Sequence, residues 1–251
     1  MSLLDALLIA LAGVGAGVIN TVVGSGTLVT FPTLLALGYS PVVANVSNTV
    51  GLAPGGLSAV IGYRRELEGQ RDRLIRLGLA AVIGGTIGAV LLVTLPSEAF
   101  EAIVPVLIGI GCVLVAIQPW VARRIKNRTE PDLPHGSVTM WILILLAGVY
   151  GGYFGAGQGV LLLGIMGIAL NEDWQRINAV KNFLALVANT VAAVLFVLVA
   201  DVSWAVAGLI ALGSIIGGQI GATVGRRLPP SVFRAVIMII GVIAIWRLLT
   251  A

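Results

Sequence analysis

The chain has 251 residues, 58% of them hydrophobic and only 10% charged. Soluble domains carry about 25% charged residues, so a chain this apolar could not cover a water-facing surface. The net charge of +4 is the ordinary Lys and Arg excess of cytoplasmic loops; with no basic face on a soluble domain, nucleic acid is excluded as a partner.

Apolar segments are predicted near 3–22, 24–38, 41–63, 74–95 and 99–120, and again near 138–154, 156–170, 177–200, 203–225 and 231–250. Most approach the roughly 20 residues that cross a ~30 Å hydrocarbon core, and the lipid bilayer is their expected surroundings. Met1-Ser-Leu-Leu-Asp5 lacks a basic region, so the first segment is expected to stay as a membrane helix. The second and seventh are short, which suits half of a broken or re-entrant helix. They open at Gly24-Ser25-Gly26 and Gly155-Ala156-Gly157. Residues 121–137, with Pro131 and Pro134, read as a cytoplasmic linker between a first transmembrane repeat, 1–120, and a second, 138–251. Trp120, Trp141, Trp174, Trp204 and Trp246 fall near segment ends and read as interfacial anchors. Cys112 is the single cysteine and forms no internal disulfide.

An internal repeat organises the chain. Ala16-Gly-Val18 before Gly24-Ser-Gly26 matches Ala147-Gly-Val149 before Gly155-Ala-Gly157. Gly84-Gly-Thr-Ile-Gly-Ala89 then matches Gly217-Gly-Gln-Ile-Gly-Ala222, and Leu95-Pro96 with Phe100 matches Leu228-Pro229 with Phe233. Loop 63–73 carries Arg64, Arg65, Arg71 and Arg73, whereas its counterpart near 200–203 carries only Asp201. Loop 95–101 carries Glu98 and Glu101, whereas its counterpart carries Arg226, Arg227 and, just beyond, Arg234. This swap is expected if each half crosses an odd number of times and the two lie inverted. The predicted fold is therefore an all-α polytopic membrane protein of two inverted five-segment repeats, with both termini external.

The eleven acidic residues all fall in loops or near segment ends. Cation-coupled transporters often use a buried carboxylate, so its absence favours an anionic or neutral substrate. Inside the apolar segments the polar residues are mainly amides, hydroxyls and one lysine. An anion needs donors and positive potential, which a helix N-terminus supplies, and glycine lets backbone approach the ligand. The expected substrate-binding residues are Asn20, Thr21, Gly24, Ser25, Gly26 and Thr27 around the first break, with Asn45, Ser47 and Asn48 after it. In the second half they are Gly155, Gly157 and Gln158, with Asn178, Lys181 and Asn182. The two breaks are expected to aim helix starts at a shared polar cavity lined by Ser25, Thr27, Gln158, Asn48 and Asn182. Simpler readings stand beside this one. Spacings such as Gly13-xxx-Gly17 and Gly84-xxx-Gly88 pack helices. Asn20, Asn48, Asn182 and Asn189 could only bond neighbouring helices, and Lys181 could snorkel to the interface. His135, the sole histidine, lies in the linker, and there is no zinc-type histidine pair or Cys–His arrangement. No enzyme activity, cofactor or metal is expected.

Ala16-Gly-Val-Ile-Asn-Thr-Val-Val-Gly-Ser-Gly26 with Pro32 and Leu37-Gly38, then Ala44-Asn-Val-Ser-Asn48, resembles the TauE/SafE family of sulfite-exporter-like permeases. So do Gly148-Val-Tyr-Gly-Gly-Tyr-Phe-Gly-Ala-Gly-Gln-Gly159, Asn178-Ala-Val-Lys-Asn182, and Gly217 through Arg226 to Leu228-Pro229. The resemblance covers nearly the whole chain. It implies a bacterial or archaeal inner-membrane permease exporting sulfite, organosulfonates or related sulfur oxyanions. Transport of another small anion, uptake of a sulfur compound and a non-transporting scaffold remain the alternatives, and assembly as a homo-oligomer is left open.

Overall fold

The structure, a computed structural model, describes residues 1–125, 137–227 and 230–250. Among these residues the regular secondary structure is helical. The helices are α1 (Leu3–Val22), α2 (Thr27–Ala36), α3 (Pro41–Gly62), α4 (Arg71–Thr94) and α5 (Ser97–Ile125). They continue as α6 (Val138–Tyr153), α7 (Gln158–Ala169), α8 (Trp174–Val199), α9 (Trp204–Thr223) and α10 (Pro230–Thr250). Every predicted segment lies within three residues of a helix at both ends, except that α5 runs on to Ile125, five residues into the expected linker. Linker residues 126–136 lie outside the described residues.

Local chemistry fixes several starts. Ser2 and Asp5 form a reciprocal capping box on α1, with bonds of 2.7 and 3.1 Å. Ser137 caps α6 and Asp173 caps α8. Pro41 stands at the first position of α3, where its missing N–H costs nothing.

Helices α1, α4, α5, α8 and α9 are long and apolar enough to cross a membrane. The chain is a multi-pass membrane protein. Leu3, Leu4, Leu7, Leu8 and Leu11 are exposed along α1, as lipid-facing side chains are. Trp120, Trp204 and Trp246 are exposed near helix ends. Trp141 instead turns inward and donates to the Arg76 carbonyl at 3.0 Å.

The repeated small-residue spacings pack one half against the other. Gly13 and Gly17 of α1 meet Ile210, Gly213, Ser214 and Gly218 of α9, and Gly84 and Gly88 of α4 meet Leu145, Gly148 and Val149 of α6. Without a hydrophobic difference between lipid and protein, such backbone-close contacts supply the packing. Both pairs run parallel. So do α3 with α9, through Gly51–Ile210, Gly55–Ser214 and Gly62–Ala222, and α4 with α8, through Gly78–Phe183 and Gly85–Ala188. Helix α3 runs against α8, pairing Gly56 with Leu186 and Tyr63 with Gln175. Thus α1, α3 and α9 point one way, and α4, α6 and α8 the other.

Candidate functional site at the two glycine breaks

At about 1.5 Å per residue, the 10 residues of α2 and 12 of α7 cover only about half a ~30 Å hydrocarbon core. Each folds back on the helix before it. Gly26 abuts Ala16 and Asn20 of α1, and the Gln158 side chain lies on Gly151 of α6. The reversal needs left-handed backbone at Gly24 (φ +88°) and Gly157 (φ +83°), which a side chain would strain. The breaks touch. The Gly159 N–H donates to the Gly24 carbonyl at 3.0 Å, and a Cβ on either residue would drive into the other's backbone. Gly26 and Gly157 are the N-caps of α2 and α7, and neither helix start has a side-chain cap.

Around this junction the predicted residues fall into two buried clusters. The first is built on α8, whose residues 178, 181 and 182 share one face at helical spacing. Lys181 is wholly buried. Its ammonium donates to the carbonyls of Asn20 (2.9 Å) and Thr21 (3.0 Å) at the end of α1. A cation there complements the negative end of the helix dipole. Asn178 and Asn182 each add an amide bond to the Thr21 carbonyl at 3.3 Å. Asn20 and Thr21 therefore contribute backbone, and the Thr21 hydroxyl is spent on Gly17 (2.8 Å). Lys181 does not snorkel; its stem lies against Gly159 at the start of α7.

The second cluster ties α3 to α2. The Asn48 amide accepts from Thr30 (2.5 Å) and donates to Thr27 (3.3 Å). Thr27 and Asn189 both lie beside Gly155. Asn45 donates to the Tyr153 carbonyl (2.9 Å), joining the halves. Ser47 faces elsewhere and accepts from the Ser203 N–H (2.9 Å) at the start of α9.

Near these breaks Asn45 Oδ1 and Tyr153 Oη lack a hydrogen-bond partner, as do three further buried atoms: Ser25 Oγ, Gln158 Nε2 and Asn178 Oδ1. All three side chains are nearly or wholly inaccessible. A buried unpaired group costs about 1–3 kcal/mol, so such groups call for an explanation. A described groove of about 410 Å³ lies elsewhere, lined mainly by apolar residues of α5, α6 and α7 such as Leu114, Leu143 and Ile165. At the breaks themselves the Gly24 and Gly159 backbones are in contact.

Sequence reasoning passed over the aromatic residues here. Phe31 and Phe154 meet edge-on at 5.1 Å, and Phe100 packs on Tyr153 and Phe154 at 5.5 and 6.1 Å. The Tyr150 hydroxyl bonds the Ala156 carbonyl inside the second break. The signal was the run Tyr150-Gly-Gly-Tyr-Phe154, read only for its glycines.

The family model described as Sulfite exporter TauE/SafE matches residues 9–248. The chain belongs to the TauE/SafE family. A probable membrane transporter protein, ORF9, of Sinorhizobium sp is 26% identical over 239 residues, 93% of this TauE/SafE chain and 88% of the relative. The probable membrane transporter protein YfcA of Escherichia coli K12 is 25% identical over 242 residues, covering 93% and 86%. A probable membrane transporter protein of Haemophilus influenzae is 24% identical, covering 90% and 88%. This TauE/SafE chain is a membrane transporter with its two glycine breaks packed together.

Proposed function

We propose that this permease of the inner membrane exports a small sulfur-containing anion, such as sulfite or an organosulfonate, by alternating access around the glycine junction. What supports this reading is the presence near the junction of Ser25, Gln158 and Asn178, each buried with an unpaired polar atom, together with the buried ammonium of Lys181. Two uncapped helix starts add positive potential. Thr27, Asn48 and Asn182 hold the surrounding backbone, and Gly24, Gly26, Gly155 and Gly157 let it approach an oxyanion. Asn45 and Ser47 brace the helices around the site.

The two halves, 1–120 and 138–251, act as inverted repeats about an axis in the membrane plane. In support, α1, α3 and α4 each run opposite to α6, α8 and α9, their counterparts by sequence. Arg64, Arg65, Arg71, Arg73, Arg76, Arg176 and Arg227 gather at one end, which the positive-inside rule makes cytoplasmic. Export of an anion from a cell with a negative interior gains about 2.3 kcal/mol per charge per 100 mV, so carboxylate-based coupling is not required.

Purified protein melted with sulfite, sulfate, thiosulfate, sulfoacetate and taurine tests the substrate class, and efflux from proteoliposomes tests direction. Stabilisation and efflux are expected with sulfite. Stabilisation confined to taurine, or to none of the five, removes the sulfur-anion reading.

A further inference from the structure

The halves are joined below the glycine junction by two stacked groups of polar contacts that form a column. The Thr21 carbonyl, which accepts from Lys181, also accepts from Asn178 Nδ2 at 3.3 Å. The same Asn178 amide donates to the Tyr63 hydroxyl at 3.0 Å, which donates to Gln175 Oε1 at 3.3 Å. Tyr63 is 1% exposed, among the largest fully buried side chains, and packs with Ala179 of α8 and Ala222 of α9. One turn nearer the basic face, Glu172 bonds Arg73 at 3.0 Å and Arg176 at 2.8 Å. Arg176 also reaches the Glu68 carbonyl at 3.2 Å. Gln70 joins Arg73 to this group and bonds the Glu66 carbonyl at 2.7 Å.

Thr21, Tyr63, Glu68 and Arg73 belong to the first half; Glu172, Gln175, Arg176, Asn178 and Lys181 belong to the second. Apart from Glu172–Arg176 and the Gln70 bonds, the links named in this column cross the seam between halves. Any rocking of one half on the other must break them. Between α1 and α9 and between α4 and α6 the halves meet through interlocked glycine faces, which slide poorly because a close-packed contact has no room to give. Single polar bonds such as Asn45–Tyr153, Ser58–Ile215 and Ser47–Ser203 also cross between halves, but the column gathers several at the basic end. Polar contacts exchange partners with water when opened, so a seam made of them is the part of the interface that separates at least cost.

We propose that this column is the cytoplasmic gate of the permease, with the Tyr63 ring as its plug and the Arg73–Glu172–Arg176 group as its latch. The proposal rests on the reading of the glycine junction as the transport site. The state described is closed on the cytoplasmic face. On the other side of the junction the Phe31, Phe100, Tyr153 and Phe154 rings make an apolar closure. The site is thus sealed by dissimilar gates, a polar one inside and an aromatic one outside. Opening the inner gate exposes Asn178 and the end of α1 first, then Lys181 and Ser25.

The test uses the full chain carrying Cys112→Ser and a reporter, Ser25→Cys, in vesicles of both orientations. A membrane-impermeant cationic thiol reagent is added from one side at a time. Glu172→Gln unlatches both arginines, and Tyr63→Ala removes the plug. Glu172→Gln is expected to raise the labelling rate from the cytoplasmic side by about tenfold, the effect of losing one charge-assisted bond across the closed seam. Tyr63→Ala is expected to raise it through the loss of two neutral bonds and the ring, and both to leave the external rate unchanged or lower. Glu172 is a surface residue, about a quarter exposed, so Glu172→Gln stays informative if Tyr63→Ala folds poorly. Unchanged cytoplasmic labelling in a folded Glu172→Gln protein, a rise from the external side, or a reporter unreactive in every variant overturns the gate. A melt with and without sulfite, run apart from the labelling because sulfite itself consumes thiol reagents, separates the two readings. Faster labelling, with no stabilisation by sulfite in the protein that keeps Ser25, keeps the gate and removes sulfite as the substrate.

Discussion

Replacing Lys181 with Met separates two roles for the buried ammonium. The substitution keeps most of the apolar stem and removes the charge. On the structural side, the Asn20 carbonyl loses the donor given for it, whereas the Thr21 carbonyl retains Asn178 and Asn182. One newly unpaired carbonyl costs about 1–3 kcal/mol. Against this, a buried ammonium without a carboxylate partner carries a desolvation penalty of several kcal/mol, which the substitution removes. The two terms oppose, so the melting midpoint of the substrate-free protein is expected to move little. On the binding side, losing a charge-assisted bond to an anion costs about 2 kcal/mol, or about 30-fold in affinity. At a sulfite concentration about 100 times the wild-type dissociation constant, ligand stabilisation falls from about 2.7 to about 0.9 kcal/mol. The assay is a denaturant melt of purified protein with and without sulfite, with Lys126→Met as a control. If Lys181→Met melts several kcal/mol lower while its sulfite stabilisation stays intact, the lysine is a cap for α1 and the uncapped helix starts supply the positive potential alone.

Gly159→Ala places a methyl group against the Gly24 backbone, and overpacking of this kind costs about 1–3 kcal/mol; a lower melting midpoint together with lost transport is expected. Asn48→Ala strips Thr27 and Thr30 of their shared partner and should destabilise by about 1–3 kcal/mol, whereas Ser47→Ala, remote from the breaks, should leave anion affinity unchanged in a binding titration. For Glu172, burial acts to raise the carboxyl pKa, but hydrogen bonds and charges from Arg73 and Arg176 outweigh it and hold the group below the ordinary 4.5. A lowered folded-state pKa means the contribution is present above the unfolded value and lost as pH falls through the folded one. The ratio of cytoplasmic labelling rates of the Ser25→Cys reporter with and without Glu172→Gln, in which the thiol's own titration cancels, should therefore be flat between about pH 8 and about pH 6, above the range in which the carboxylate takes up a proton; a change of that ratio within the window would show that something other than Glu172 holds the latch.

The helices, their ends and the two breaks could be read from the chain alone. Apolar length, capping residues such as Ser2, Ser137 and Asp173, and glycines that permit left-handed backbone are local properties, and locality is what a sequence displays directly. The repeat was legible for the same reason, as a match of short motifs at a near-constant offset. The partners of the polar side chains were not. Nothing local distinguishes Ser47, which caps the approach to α9, from Asn48 one residue on, which binds Thr27 and Thr30 of α2. Lys181 looked like a free cation, yet its position against the end of α1 follows from how α8 crosses the other half. Tyr63 stood in an arginine-rich loop and drew no notice, because its plug-like burial is made by Ala179 and Ala222, more than 100 residues away. Hydrogen bonds inside a membrane are settled by which helices meet, and that choice belongs to the interlocking of glycine faces across the two halves, a long-range fit that no single segment contains.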